Sequence, residues 1–531
     1  MRNLELPGRS PAHAINGMAA TSHTLSTSTA IDILRRGGNA MDAAIAACAV
    51  QCVVEPESTG IGGDCFCMYA PGGKDKIVAF NGSGKAPKAA TVDYYLGRGI
   101  TSIERQTPDA CVVPGAIDAW FQLNRDFGRL GLDELLKQAI DYARHGYPVS
   151  SRVSLDFQSQ ANIIANEENL KSVFMPSGQL PRVGEIHRQP ALANTMEAIA
   201  HKGRDAFYLG EIAEDMVDYL RKLGGLHTLE DFANLKGDYV TPISTEFRGH
   251  TVWECPPNGQ GVIALQLLNI IAGFNTQNVD PISVERLHQE IEAGRLAYND
   301  RNTFLADPTQ ANVPVEDLLS QEHAKNLRSQ INPEYRIEPL LRPSLPKHES
   351  TVYISVVDKD RNACSFINTL FHSFGSGLMA PKTGVVFTNR AQGFVIKPGH
   401  PNCIAPEKRP MTTIIPGMIT KDGQAKMAFG VMGGHYQAFG HMHFLSRFFD
   451  FEHDIQEAQD APRVFPVLGD DTVEMEDTVP SDVIQGLEKL GHKRVQPDKP
   501  IGGSQAIWID TKNGVLTGGS EPRKDGCAIG F

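Results

Sequence analysis

Long hydrophobic runs are missing from this sequence. The longest apolar stretch, residues 263–274, is interrupted by Gln266 and Asn269, so nothing reaches the roughly 20 apolar residues that span a bilayer as a helix. The opening MRNLELPGRS carries no apolar core of signal-peptide length, and a cytoplasmic protein without membrane contact is the expectation. An excess of positive charge is missing too: 50 Lys and Arg against 62 Asp and Glu leave a net charge of −12, which argues against a nucleic-acid partner. Cysteine pairs at metal-binding spacing are absent. The nine cysteines are odd in number and scattered, and read as reduced thiols rather than a disulfide framework or a metal centre. There is no phosphate-loop lysine motif, internal repeat or low-complexity tract, and no cofactor is implied.

What is present is globular: 41% hydrophobic and 21% charged residues over 531 positions, enough for two domains or one large layered fold. The first third alternates helices and strands, with Ser28 or Thr29 and then Asn39 as candidate helix caps around Gly37-Gly38. Residues 151–345 read as mainly helical, including 267–271 and 284–298. The three prolines of 339–346 predict an extended, exposed connector. Beyond it strands dominate, at 352–357, 363–368, 384–388, 412–415 and 427–431. Helices follow near 441–449 and 483–490, then strands at 505–509 and 515–518.

The connector ends in His348-Glu349-Ser350-Thr351, and Thr351 opens the alternating strand Val352–Val357. Thr is favoured at such a place for purely structural reasons. A backbone cut before Thr351, however, leaves a hydroxyl and an α-amine on one residue, and an α-amine with a pKa of about 7.7 to 8.0 can serve as that hydroxyl's base near neutral pH.

Other motifs are weaker. Thr59-Gly60-Ile61-Gly62-Gly63-Asp64 has the wrong spacing for a dinucleotide loop. His435, His441 and His443 lack a carboxylate companion at helical spacing, and no metal site is expected there. Gly433-Gly434, directly after an apolar strand, is suited to aim two backbone N–H groups at one spot, as an oxyanion hole requires. Arg390 and the pair Lys408-Arg409 are candidate partners for a substrate carboxylate.

Together these segments resemble the gamma-glutamyltransferase family of N-terminal nucleophile hydrolases. The matching blocks are Gly37-Gly38-Asn39-Ala40-Met41-Asp42-Ala43-Ala44, Glu55 to Gly63, Val113-Pro114-Gly115, Thr351 to Asp358, Phe374-Gly375-Ser376-Gly377, Lys408-Arg409-Pro410, Gly433-Gly434 and Asp460-Ala461-Pro462-Arg463, in family order across nearly the whole chain. The resemblance implies an α+β fold of four αββα layers. It also implies a precursor cut between Ser350 and Thr351 into a large subunit of residues 1–350 and a small one of 351–531. Thr351 is then the nucleophile, Thr369 its hydrogen-bond partner, and Gly433 and Gly434 the oxyanion-hole pair. A dimer of such heterodimers is one assembly compatible with it.

Substrate recognition departs from the transferases. Their Arg before Ala-Pro is Lys85 in Ser83-Gly84-Lys85-Ala86-Pro87. Their amine-binding Asp is Gly393, their paired serines are Thr412 and Thr413, and their Asn after Thr369-Leu370 is Phe371. Each lost charge-assisted contact costs about 1.5 to 3 kcal/mol, so a glutamyl group should bind poorly. A smaller acid amide is expected, with Phe371 and His372 narrowing the pocket and Arg390, His435 or Lys85 holding its carboxylate. The blocks Asn81 to Gly84, Phe371 to Gly377 and Met432 to Gln437 look like the branch of the family that hydrolyses oxamate to oxalate and ammonia. The alternatives are a gamma-glutamyl hydrolase or transferase, an acylase walled by Phe371, Tyr436 and Phe439, and an unmatured binding protein.

Overall fold

The computed structural model describes residues 8–276, 278–338 and 350–531. The expected connector at 339–346, with His348 and Glu349, lies outside the described residues.

Two seven-stranded antiparallel sheets form the centre. One runs Ala12–Ala14, Val515–Ser520, Gly503–Asp510, Gln424–Met432, Pro416–Lys421, His250–Glu254 and Ile243–Phe247; the other runs Cys527–Gly530, Met18–Thr21, Val352–Val357, Ala363–Thr369, Asp64–Ala70, Val78–Gly82 and Asp238–Val240. Between them lies a layer of buried side chains that includes Phe66, Met68, Tyr353, Ile367, Met418 and Ile507. One outer face is covered by helices such as Ala40–Val54 and Leu132–His145, and the other by Gly261–Ile271, Val284–Phe304 and Tyr436–Phe449. This is the four-layer αββα sandwich, with apolar faces on both sides of each sheet. No helix of the described residues is long and apolar enough to cross a membrane.

Local chemistry explains most elements. Asn39 caps Ala40–Val54 through a capping box with Asp42. Gly261–Ile271 is wholly buried and apolar but for Gln266 and Asn269, which bond Asp300 and the Leu319 carbonyl. The first helix starts earlier than expected, at Thr24 with His23 as its cap. Ser28 lies exposed within it, and the Thr29 hydroxyl bonds the Leu25 carbonyl instead of capping. The segments 384–388 and 412–415 are not strands. Ser376 N–H donates to Phe387 O and Thr388 N–H to Gly62 O, while Thr412 pairs its backbone with Asn258 and Gln260. Loop-to-loop bonds thus replace a ladder there.

Helices Val284–Phe304 and Tyr436–Phe449 are fastened by buried charge. Glu290 accepts from Arg286 Nε at 2.7 Å and from Arg447 Nη1, all three side chains being fully buried. Burial pushes the Glu290 carboxyl up, but Arg447 and Arg286 hold it well below the usual carboxylate range. Glu290→Gln would leave the buried Arg447 without its counter-charge and Arg286 with Asp450 alone, at 3.4 Å. It is expected to destabilise the protein by about 3 kcal/mol or more, read as a lowered midpoint in denaturant unfolding.

Candidate active site

Thr351 is placed by the sheet. Val352 pairs with Asn368 in antiparallel register, which brings the start of one central strand beside the end of the next. Thr351 is buried, and its Oγ1 donates to the carbonyl oxygen of Ser350. Thr369 Oγ1 lies 3.3 Å from Thr351 Oγ1, reaches the same carbonyl oxygen at 3.0 Å, and accepts from Phe371 N–H at 2.9 Å. Two hydroxyls therefore converge on the bond between residues 350 and 351. Ser350 Oγ is paired with Ser373 Oγ, and Arg105 holds the carbonyls of Ser373 and Gly375.

The glycines of 59–64 have a steric purpose. A Cβ on Gly63 would stand 2.1 Å from Thr369 O, and one on Gly62 would stand 2.2 Å from Val386 O. Only glycine lets this loop approach the end of the Thr369 strand so closely.

Gly433 and Gly434 end the strand Gln424–Met432 with φ of 117° and 58°. Those values favour glycine, and a Cβ on Gly433 would also meet Gly502 Cα at 2.8 Å. Their carbonyls accept from Tyr436 N–H and Gln437 N–H, and among the described residues neither glycine N–H has an acceptor. Gln260 Nε2 donates to Gly434 O and to Thr413 O, both at 3.0 Å, while its Oε1 accepts from the buried Arg301. Arg301 Nη1 also faces His435 Nδ1 at 2.9 Å. A guanidinium only donates, so Nδ1 is the acceptor and the His435 proton sits on Nε2.

The other expected residues divide into two groups. Arg390 is fully buried: Nε donates to Asp64 Oδ2 at 2.7 Å, Nη1 reaches Thr413 Oγ1 at 3.5 Å, and the guanidinium lies 4.2 Å from the centre of the Phe371 ring. Its Nη2 and the buried Thr412 Oγ1 have no partner among the described residues. Phe371 adopts φ 81°, an uncommon conformation for a non-glycine residue, and stacks on His372 with ring centres 5.1 Å apart. Burial, with Arg105, Arg390 and Lys499 nearby, pushes His372 down to about 3, so its imidazole is neutral.

Lys85 stands apart from these bonds. It is half-buried on a bridge to Val113, and burial and then Arg409 lower its ammonium below the ordinary value. Lys408 donates to Pro401 O and Cys403 O, and Arg409 bonds Asp238, Ser83 O and Lys236 O, so both are committed to holding loops. His441 pairs with Glu254 while His443 faces Glu290, so the three histidines serve separate groups.

Sequence reasoning missed Arg105, Gln260, Arg301 and Ser373, and gave no role to Asp64 or Gln437. Gln437 Nε2 donates to Thr351 Oγ1 at 3.3 Å and its Oε1 accepts from Ile415 N–H at 3.2 Å. Ser373 and Gln437 lay inside recognised blocks and Asp64 directly after one; Arg105, Gln260 and Arg301 carry no local signal.

The Gamma-glutamyltranspeptidase family model matches residues 26–531. The "Glutathione hydrolase-like YwrD proenzyme" of Bacillus subtilis is 34% identical over 97% of this chain and 98% of its own length. The "Oxamate amidohydrolase proenzyme" of Klebsiella pneumoniae is 32% identical over the same shares. Among solved structures, a cephalosporin acylase from Bacillus halodurans superposes with a TM-score of 0.93 at 38% identity, covering 100% of this chain and 99% of that one.

The close approach at Gly63 yields a test. Gly63→Ala should drive Thr369 off the Ser350 carbonyl and slow any cleavage before Thr351 by at least about tenfold, followed by intact-mass spectrometry during incubation of freshly purified protein.

Proposed function

The chain belongs to the gamma-glutamyltranspeptidase family, whose members are N-terminal nucleophile amide hydrolases made as proenzymes, and on that premise we propose that it is a self-processing threonine amidohydrolase acting on the amide of a small carboxylic acid, with oxamate the substrate of choice. The observation that carries the reading is the Thr351 hydroxyl resting on the Ser350 carbonyl with Thr369 beside it.

In the precursor, Oγ1 adds to the Ser350 carbonyl carbon, the C–N bond breaks as the acyl group passes to oxygen, and water hydrolyses the ester. The freed α-amine of Thr351 then takes the Oγ1 proton as Oγ1 adds to the substrate amide. Ammonia leaves with that proton, and water releases the acid. Gly433 and Gly434, whose N–H groups have no acceptor among the described residues, suit the negative oxygen of each tetrahedral intermediate. Both segments, 1–350 and 351–531, contribute hydrogen-bonded strands to each sheet, which would keep them together after a cut.

The substrate assignment rests on Arg390. Its unpartnered Nη2 and the unpartnered Thr412 hydroxyl are buried donors of the kind a small carboxylate satisfies. Gly393 offers no side chain for a glutamyl amine, and there is no room for one: a Cβ there would stand 2.7 Å from Met411 O. The aromatic wall an acylase would use is occupied elsewhere, since Tyr436 and Phe439 pack on Phe465 and Phe371 lies against Arg390. We place the enzyme in the cytoplasm, in keeping with nine free cysteines.

Intact mass and ammonia release decide the matter. Wild-type protein should appear as two polypeptides split before Thr351 and release ammonia from oxamate but not from gamma-glutamyl amides, and Thr351→Ala should remain one folded, inactive chain. Cleavage in Thr351→Ala would remove the nucleophile assignment; release from glutamyl amides alone would overturn the substrate; a single inactive wild-type chain would leave a binding protein. Arg390→Lys keeps the charge beside Asp64 but loses the fork. It should mature normally and lose about tenfold or more in kcat/KM for oxamate, measured by steady-state kinetics.

A further inference from the structure

Gln437 occupies a place for which neither the sequence motif nor the reaction outlined above has a use. It stands in the first turn of the helix Tyr436–Phe449, three residues after Gly434, and is fully buried. Its two amide ends point in different directions. Oε1 accepts from Ile415 N–H at 3.2 Å, which fixes the rotamer and identifies the other end as the NH2 group, and Nε2 donates to Thr351 Oγ1 at 3.3 Å. The backbone N–H of Gln437 closes the Gly434 turn, so the residue that touches the nucleophile also belongs to the loop bearing the oxyanion donors.

We infer that Gln437 is a catalytic residue that donates a hydrogen bond to Thr351 Oγ1 and stabilises that oxygen as a leaving group; the inference rests on Thr351 being the nucleophile. When the acyl-enzyme is hydrolysed, the water oxygen forms a bond to the acyl carbon and gives its proton to the α-amine. The bond from the carbon to Oγ1 then breaks, and the resulting ammonium returns the proton to Oγ1. Negative charge grows on Oγ1 as that bond lengthens, and a fixed N–H donor lowers its cost without giving up its own proton. The same donor occupies one lone pair of Oγ1 in the precursor, leaving the hydroxyl proton directed at the Ser350 carbonyl oxygen, the geometry observed.

Two substitutions separate this role from a structural one. Gln437→Glu keeps the shape and the acceptor for Ile415 N–H but removes the donor; Gln437→Met removes both. If the donor matters, each variant should mature at least tenfold more slowly by intact mass, and the matured enzyme should lose at least tenfold in kcat for oxamate with KM falling alongside it, as slowed hydrolysis of the acyl-enzyme requires. A Gln437→Glu enzyme that matures and turns over at the wild-type rate or faster overturns the inference, as does a parallel rise in KM in both variants, which would mark a collapsed loop. Failure of the wild-type protein to cleave before Thr351 would instead overturn the reading of the nucleophile.

Discussion

The antiparallel pairing of Val352–Val357 with Ala363–Thr369 is the constraint on which the site depends. Its register sets Thr351 beside Thr369 at the end of two central strands, where a hydroxyl meets the backbone carbonyl immediately before it. The strand is held by Ala363–Thr369 along its whole length and by Met18–Ala20 at residues 355–357, so Thr351 stands at the free-edged end of a strand anchored in the middle of the sheet. On the proposed reading, this support lets a weak nucleophile act without a charged base beside it in the precursor.

Around that fixed point the loops arrive by close contact rather than by strong charge. Gly63 lets one loop press on the strand end and Gly62 lets it approach the Val386 carbonyl, and Gln260 ties the Gly434 turn to Thr413. Charge is kept in matched pairs: Arg390 with Asp64, and Glu290 with Arg286 and Arg447. The buried Arg301 is handled differently. It is turned toward neutral acceptors, and burial pushes it down to about 10.

The layered fold and the threonine at the strand's head were legible because alternation, capping and glycine placement are local properties of the chain. Asn39 announces its helix, and Gly433-Gly434 announces a tight turn. Two predicted strands, at 384–388 and 412–415, failed because apolar alternation reports burial and not the destination of backbone hydrogen bonds, which here run to neighbouring loops. The first helix was started late because Ser28 and Thr29 look like caps, whereas a histidine, His23, caps it and the Thr29 hydroxyl bonds back to Leu25 O inside it. Arg105 is beyond any sequence reading: it meets Ser373 from 268 positions away through carbonyls that any residue supplies.

On the proposed reading, burial also determines what Arg390 can accept. Asp64 already offsets most of the charge of Arg390 and at the same time receives Gly84 N–H at 2.7 Å, so the pair is locked to the loop that carries Lys85. A carboxylate added at Nη2 would place a second negative group near Asp64. It is tolerated only if compact enough to take the remaining guanidinium donor and the Thr412 hydroxyl together. An acid whose carboxylate adjoins the scissile carbonyl meets that condition, because both groups are short and planar and share one set of donors. A longer acyl chain would separate them and leave one set of buried donors unsatisfied, at a cost of about 1 to 3 kcal/mol. On the proposed reading, the smallness of the substrate follows from the pairing of Arg390 with Asp64 more than from the bulk of Phe371.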